Sequence, residues 1–298
     1  RREGRHSANV RPNNTDNHEA GMNFEFSDEQ LMLREQARGF LKQHCPPKVN
    51  RAVLDGGLTH DADLWRGIAD MGWTATTIPE CYGGLGLDYY ELAIIAEELG
   101  RAVAPLPFSS SVYLATEALL LFASEQQKAR WLPALASGEI IACLALPERP
   151  GTLTEPGIQC RFHNGTLNGQ KTPVVDASAA QLLLTLAKND QGQLVLCASD
   201  NPRPGIELTS INTVDGSRPH SAVSYSNAAA EVVGGEPVQW DALQTLFDRA
   251  AVLFAWEQLG VAEAALEQGC QYAKDRYAFG RAIGSFQAIK HKLAGMYV

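Results

Sequence analysis

Two arginines, a phenylalanine and a glutamine lie near the end of this 298-residue sequence, and their types suit an anionic ligand with a flat apolar part. Arg276 and Arg281 flank a glycine-containing turn, where the backbone can approach a ligand closely. A guanidinium can hold a pyrophosphate with paired hydrogen bonds, Phe279 offers an apolar surface, and Gln287 offers an amide that donates and accepts. The same pattern fits a solvated helix–loop–helix corner with Phe279 packed inward, so the residues alone leave both interpretations open.

Other motifs that carry chemistry do not occur in the sequence. Gly83-Gly84-Leu85-Gly86 lacks the spacing of a dinucleotide loop, and the run Gly169-Gln170-Lys171-Thr172 lacks the adjacent glycine and lysine of a phosphate loop. There is no G-x-S-x-G nucleophile elbow and no H-E-x-x-H metal motif. The six cysteines form no C-x-x-C pair and the seven histidines are scattered, so no metal site is predicted.

The composition argues against a nucleic-acid-binding protein and against a membrane-spanning one. Twenty-five basic against 34 acidic residues give a net charge of −9, which argues against nucleic acid as the main partner. The hydrophobic fraction of 45% is typical of a globular chain, and no apolar run approaches the roughly 20 residues that span a membrane. Residues 1–21 are polar and contain no signal peptide; we predict a disordered extension or tag there, and a cytoplasmic protein with reduced cysteines.

Helical patterns over residues 22–137 predict an N-terminal all-helical domain. Ser27 and Gln30 form a capping-box pattern that begins the first helix, and the prolines at 46 and 47 end it. Gly100 is predicted to end the third helix as a C-terminal cap. The predicted helices cover residues 27–45, 61–71, 89–99 and 110–122, and a fifth begins at Ser124.

Residues 138–237 predict a β-domain, either a barrel or a sandwich, because short apolar segments alternate with turn signals such as Asn-Gly and Asp-Gly. Residues 238–298 return to a helical pattern with a wide apolar stripe over 243–265. The sequence stops within a helical pattern, so we expect the stripe to need a partner, either a longer native chain or another subunit. This C-terminal helical bundle is therefore predicted to be incomplete here.

Four segments in register, together with the helical–β–helical order, resemble the acyl-CoA dehydrogenase family. They are IPECYGGLGL at 78–87, NGQK at 168–171, QYAKDRYAFGRAIG at 271–284 and SFQAIKHKLA at 285–294. The resemblance extends from about Met22 to Val298. It implies a flavoprotein that uses FAD and is an oligomer, and it implies that Arg276, Phe279 and Gln287 contact the flavin of a neighbouring subunit.

The sequence departs from the family where a subunit holds its own flavin. Pro147 stands where the family has a threonine, while Pro173 and Val175 stand where it has an aromatic residue and a serine or threonine. The family removes the substrate α-proton with a glutamate, which in some members matches the position of Ala250. Glu257, two turns later, is interpreted as a helix-surface or interface carboxylate, so no catalytic residue is predicted.

The resemblance implies the oxidation of an acyl-CoA thioester to the trans-2-enoyl-CoA in fatty acid or sterol catabolism, by a dimer or tetramer with electron-transfer flavoprotein as acceptor. The departures leave a second hypothesis open, a non-catalytic subunit that contributes half of a flavin site to a hetero-oligomer. A third hypothesis is a flavin-independent acyl-CoA-binding protein.

Overall fold

The computed structural model describes residues 25–56, 58–151 and 153–298. The extension predicted for residues 1–21 lies outside them. The N-terminal part is helical, and its elements are α1 (Asp28–His44), α2 (Pro47–Leu54), α3 (Ala62–Asp70), α4 (Tyr89–Ala102), a π-helix (Ser109–Thr116), α5 (Glu117–Phe122) and α6 (Glu125–Ala136).

The helix α2 follows α1 directly and was not predicted. Pro47 occupies its first helical position, where a missing N–H costs nothing because that group has no partner inside the helix. The proline pair therefore both ends α1 and begins α2.

The middle part is one mixed sheet. Its strands are β1 (Ala142–Ala145), β2 (Arg161–His163), β3 (Thr166–Val175), β4 (Leu182–Lys188), β5 (Leu194–Asp200), β6 (Ile206–Ile211), β7 (His220–Ala229) and β8 (Glu231–Val232). The strand order is β6-β7-β3-β2-β4-β5-β8, and β1 pairs with β4. The β1–β4 and β2–β4 pairs are parallel, whereas the others are antiparallel.

The centre of the sheet is buried on both faces. In β4, Leu183 and Ala187 belong to one core cluster, and Leu182, Leu184 and Leu186 belong to another. The first cluster includes residues of α1, α4 and the π-helix, and the second includes residues of α5 and α6. Since alternate residues of a strand point to opposite faces, helices cover both sides of this strand.

The C-terminal part begins with the 36-residue helix α7 (Trp240–Asp275). A short hairpin of β9 (Tyr277–Ala278) and β10 (Arg281–Ala282) follows, and then α8 (Gln287–Tyr297). Helices, a middle sheet and further helices in this order confirm the predicted fold class. None of the helices in the described ranges is long and apolar enough to cross a membrane.

Helices α4 and α7 cross with their backbones in contact. A Cβ atom on Gly100 would lie 1.9 Å from the carbonyl oxygen of Glu257, and one on Gly260 would lie 1.9 Å from that of Glu97. The prediction that Gly100 ends α4 is wrong, because the helix continues to Ala102. Gly100 has no side chain, and this allows α4 and α7 to approach each other so closely.

The predicted capping box at the start of α1 is present and also anchors α4. The Ser27 hydroxyl accepts a hydrogen bond from the Gln30 N–H at 3.2 Å, and the Gln30 side-chain oxygen accepts from the Ser27 N–H at 3.1 Å. The Gln30 amide then donates to Glu91 of α4 at 2.9 Å. Glu91 is itself part of the capping box that Asp88 begins.

We expect Ser27→Ala to lower the free energy of unfolding by about 1 kcal/mol, because the first turn of α1 loses its side-chain acceptor. Ser27→Asp is the matched control and is expected to remain close to the wild type, since a carboxylate also accepts from the first turn. Urea unfolding measures both. Equal stability of the two variants would contradict a role for this hydroxyl.

Candidate functional site

The hairpin that carries the predicted ligand contacts is built around a tight two-residue turn. Phe279 and Gly280 form the turn with φ angles of 52° and 78°, and Arg281 pairs with Ala278 across it. Positive φ angles at both central residues are typical of a type I′ hairpin turn. Glycine adopts them freely, but a bulky residue rarely does. The Phe279 side chain is 95% exposed at the tip of the turn.

The three predicted contact residues are all exposed. Arg276 follows the last residue of α7, and its guanidinium forms no ion pair with any described residue. Gln287 is the first residue of α8. The structure therefore presents Arg276, Phe279 and Gln287 outward from this chain. The alternative of a corner with Phe279 packed inward does not hold, because that ring is almost fully exposed.

Arg281 packs against an aromatic ring of its own chain. Its guanidinium lies over the Phe286 ring, 4.0 Å from the ring centroid. The Phe286 ring in turn meets Phe279 edge-on, with centroids 6.3 Å apart. Arg281 thus stabilises the hairpin through its contact with Phe286.

The loop after β1 is the place where the family resemblance puts contacts to a subunit's own flavin. Pro147 takes part there through its carbonyl oxygen, which accepts a hydrogen bond from the Thr172 N–H at 2.7 Å. The side chains of Pro147, Pro173 and Val175 carry no hydroxyl and no N–H, so they donate no hydrogen bond. The side chains at positions 147 and 175 therefore lack the hydroxyl groups that the family pattern has there.

A buried ion pair holds this loop against β3. The Lys171 ammonium is fully buried; it donates to Glu148 at 2.8 Å and to the Leu146 carbonyl oxygen at 3.0 Å. Glu148 also accepts from the backbone N–H groups of Gln159 and Cys160, at 2.9 and 2.8 Å. Burial lowers the pKa of Lys171, and Glu148 acts in the opposite direction. One carboxylate thus joins both ends of the 148–160 loop to the sheet.

A second group of polar side chains lies where the π-helix, the sheet and α7 meet. Ser110 donates to the Asp176 carboxylate at 2.7 Å, and Arg218 donates to Ser110 at 2.8 Å. Arg218 also bonds Ser109 and forms an ion pair with Asp176. The Asp176 side chain is buried. The positive charge of the Arg218 guanidinium compensates the negative charge of its carboxylate in the interior.

Tyr113 and Glu257 complete this group, which we call the junction cluster: Ser109, Ser110, Tyr113, Asp176, Arg218 and Glu257. Burial raises the pKa of Glu257, while Arg218 and Tyr113 act in the opposite direction. Burial also raises the pKa of Tyr113, and Glu257 adds to that shift. Glu257 is partly buried in the single chain, and its interpretation as a helix-surface or interface carboxylate stays a prediction.

Sequence reasoning missed the junction cluster. Its members come from four separate regions, near positions 110, 176, 218 and 257, and nothing in their spacing links them. The position predicted for a catalytic base in some family members is Ala250, which is buried and carries no titratable group. Within the described ranges, no three His, Cys, Asp or Glu side chains are grouped so that they could hold a metal ion.

Comparisons with known proteins identify the family. The family model "Acyl-CoA dehydrogenase, N-terminal domain" matches residues 27–139, and "Acyl-CoA dehydrogenase, C-terminal domain" matches residues 240–298. The probable acyl-CoA dehydrogenase YngJ of Bacillus subtilis is 31% identical over 92% of this chain and 76% of its own length. The chain belongs to the acyl-CoA dehydrogenase family, which consists of oxidoreductases that act on CH–CH bonds.

Solved structures agree with this assignment. The ChsE4–ChsE5 complex from Mycobacterium tuberculosis has a chain that is 27% identical, with a TM-score of 0.82 over 93% of this chain and 75% of that one. An acyl-CoA dehydrogenase complexed with FAD from Bacillus anthracis is 23% identical, with a TM-score of 0.81 over 91% of this chain and 48% of that one. The second likeness shows the fold alone.

Proposed function

We propose that this chain is a subunit of a cytoplasmic, FAD-dependent acyl-CoA dehydrogenase that oxidises an acyl-CoA thioester to the trans-2-enoyl-CoA. The observation that carries the proposal is the hairpin at 277–282, whose tip presents Phe279 almost fully exposed in a backbone conformation that a phenylalanine rarely adopts. Because this backbone conformation is unfavourable for phenylalanine, an exposed apolar ring at this position suits contact with a ligand or another subunit. Family membership makes FAD bound by a neighbouring subunit the natural ligand.

The residues of the hairpin segment fit FAD, whereas the loop after β1 does not fit it fully. Arg276 has no ion-pair partner among the described residues and can bind a pyrophosphate, Phe279 can cover an apolar ring edge, and Gln287 can exchange hydrogen bonds through its amide. FAD, when bound, supplies the hydride acceptor for the oxidation. The Glu148–Lys171 pair fixes the loop that faces the same site in the family pattern, but Pro147 offers no hydroxyl there.

The proposed enzyme is an oligomer, either a dimer or a tetramer, and electron-transfer flavoprotein is its proposed electron acceptor. The exposed hairpin segment supports this, since Arg276, Phe279 and Gln287 are all exposed to solvent in the single chain. The catalytic base is not assigned to a residue of this chain, because Ala250 cannot accept a proton. The comparisons do not favour the alternative of a non-catalytic partner subunit, since YngJ is named a probable acyl-CoA dehydrogenase.

The first test is the flavin content of the purified assembly, followed by its oxidation of acyl-CoA thioesters. We expect FAD affinity to fall about 10- to 150-fold in Arg276→Ala, because a charge-assisted contact to pyrophosphate contributes about 1.5–3 kcal/mol. Titration of the apoprotein with FAD, followed by visible absorbance, measures the affinity.

Arg66→Ala is the matched control, since the Arg66 side chain is 70% exposed and pairs with the neighbouring surface residue Asp63. It is expected to leave FAD affinity unchanged. If Arg276→Ala binds FAD like the wild type, the assignment of Arg276 fails. We expect little flavin on this chain when it is produced without a flavin-holding partner. Stoichiometric flavin on the chain alone would show that the loop at Pro147 holds FAD despite its missing hydroxyl.

A further inference from the structure

A cavity of about 450 Å³ lies where the C-terminal ends of α1 and α4 meet, beside the start of α2. This volume is within the range of about 300–1,000 Å³ that is usual for small-molecule sites. The described residues that line it belong neither to the hairpin segment, nor to the loop after β1, nor to the junction cluster. The cavity therefore shares no residue with the sites described above.

Much of the cavity wall is apolar. Leu41 and Cys45, which are 2% and 7% exposed, belong to the core, and Pro46, Pro47 and Ala102 extend the apolar lining. Burial raises the pKa of the Cys45 thiol to about 11, so this side chain carries no charge near neutral pH. An aliphatic chain placed here would leave water for an uncharged surface, which is favourable.

Four charged side chains also line the cavity, and one of them lacks a counter-charge in the described part of the chain. Arg38 holds Glu98 with two hydrogen bonds, at 2.9 and 2.6 Å. Arg101 forms ion pairs with two glutamates of α7. Lys42 forms no ion pair with any described residue. The Lys42 ammonium is therefore the cation that a ligand can compensate.

The end of α4 beside the cavity has carbonyl groups that are already paired. The Asn50 amide donates to the carbonyl oxygens of Ala102 and Val103, at 3.1 and 2.8 Å. Unpaired carbonyl oxygens at the C-terminal end of a helix attract cations and repel anions. Because Asn50 engages these two, they do not compete with a ligand for the Lys42 ammonium.

The charges around the cavity select the head group of that ligand. A carboxylate brings one negative charge, which matches the single uncompensated ammonium. A phosphate monoester carries about two charges, so part of its charge would remain uncompensated near Glu98 and the glutamates of α7. An uncharged head group would leave Lys42 without a counter-charge.

We propose that this cavity binds a monocarboxylate with an aliphatic chain, such as a free fatty acid. The chain lies against Leu41, Cys45 and Ala102, and the carboxylate pairs with Lys42. The site requires neither FAD nor an acyl-CoA, so it is independent of the proposed function.

Isothermal titration of the full assembly with octanoate tests this site, with octanol and acetate as reference ligands. We expect the wild type to bind octanoate more tightly than octanol, which lacks the charge, and more tightly than acetate, which lacks the chain. Lys42→Met removes the ammonium and keeps an apolar stem. It is expected to weaken octanoate binding at least about 5-fold, because the contact lies between an exposed and a buried charge pair.

Ala102→Leu is a second variant, which keeps Lys42 and fills part of the apolar space. It is expected to weaken octanoate binding as well, since the aliphatic chain then lacks room. Lys48→Met is the matched control, because Lys48 is also exposed but does not line the cavity. It is expected to bind octanoate like the wild type. Urea unfolding verifies that each variant is folded.

Three results overturn the proposal. The first is octanoate binding that Lys42→Met leaves unchanged, and the second is equal affinity of the wild type for octanol and octanoate. The third is a wild-type assembly that does not bind octanoate, as expected where another subunit or a further segment of chain fills the cavity. The proposed function stands in all three cases, because FAD binding is measured in a separate titration.

Discussion

Replacing Gly100 or Gly260 with alanine is expected to lower the free energy of unfolding by about 3 kcal/mol or more. At each position the new methyl group would lie 1.9 Å from a carbonyl oxygen of the opposite helix, far inside van der Waals contact. The obstacle is backbone, which cannot rotate away as a side chain would. The helices α4 and α7 must therefore move apart and lose the packing of their apolar faces. Urea unfolding of each variant measures the loss.

Gly39→Ala is the matched control for both variants. Gly39 lies inside α1, and a Cβ atom placed there has nothing within 4 Å. Alanine is favoured over glycine in a helix, so this variant is expected to gain about 0.5–1 kcal/mol. If Gly100→Ala also gains stability, the two helices are not in backbone contact at this point.

The same glycine shows what local sequence reasoning can and cannot supply. A glycine after an apolar helical pattern is typical of a C-terminal cap, and Gly100 fits that pattern. Its actual role depends on Glu257 and Gly260, about 160 residues away, which no local pattern reveals. By contrast, a capping box depends on residues three positions apart. The box predicted at Ser27 is present, and the predicted helix start at Ser124 also carries one.

The candidate site likewise has a part that the sequence indicates and a part that it does not. Arg276, Phe279 and Gln287 lie within twelve residues, so the sequence indicates them together, and the structure shows that all three point outward. The junction cluster joins Tyr113, Asp176 and Arg218 only through the packing of the π-helix on the sheet. The sequence predicts a helix over 110–122, whereas the structure has a π-helix at Ser109–Thr116, and this π-helix contains Ser109, Ser110 and Tyr113.

Lys171→Met is expected to lower the free energy of unfolding by about 3–5 kcal/mol. The methionine can occupy the space of the lysine stem, but it leaves the Glu148 carboxylate, whose side chain is only 14% exposed, without its cation. The two backbone N–H donors that remain do not replace the lost charge. The loop that includes Pro147 should therefore loosen, and we expect proteolysis between residues 148 and 160 to become faster.

A double variant separates the loss of the pair from the exposure of one partner. Lys171→Met combined with Glu148→Gln removes both charges and leaves an amide oxygen to accept from the Gln159 and Cys160 N–H groups. It should therefore be more stable than Lys171→Met alone. Lys128→Met is the control, because its partner Glu125 is 80% exposed and a surface pair contributes little, about 0–1 kcal/mol. If Lys171→Met costs no more than Lys128→Met, the buried pair does not hold the loop, and the Thr172 N–H bond to the Pro147 carbonyl must be what fixes it to β3.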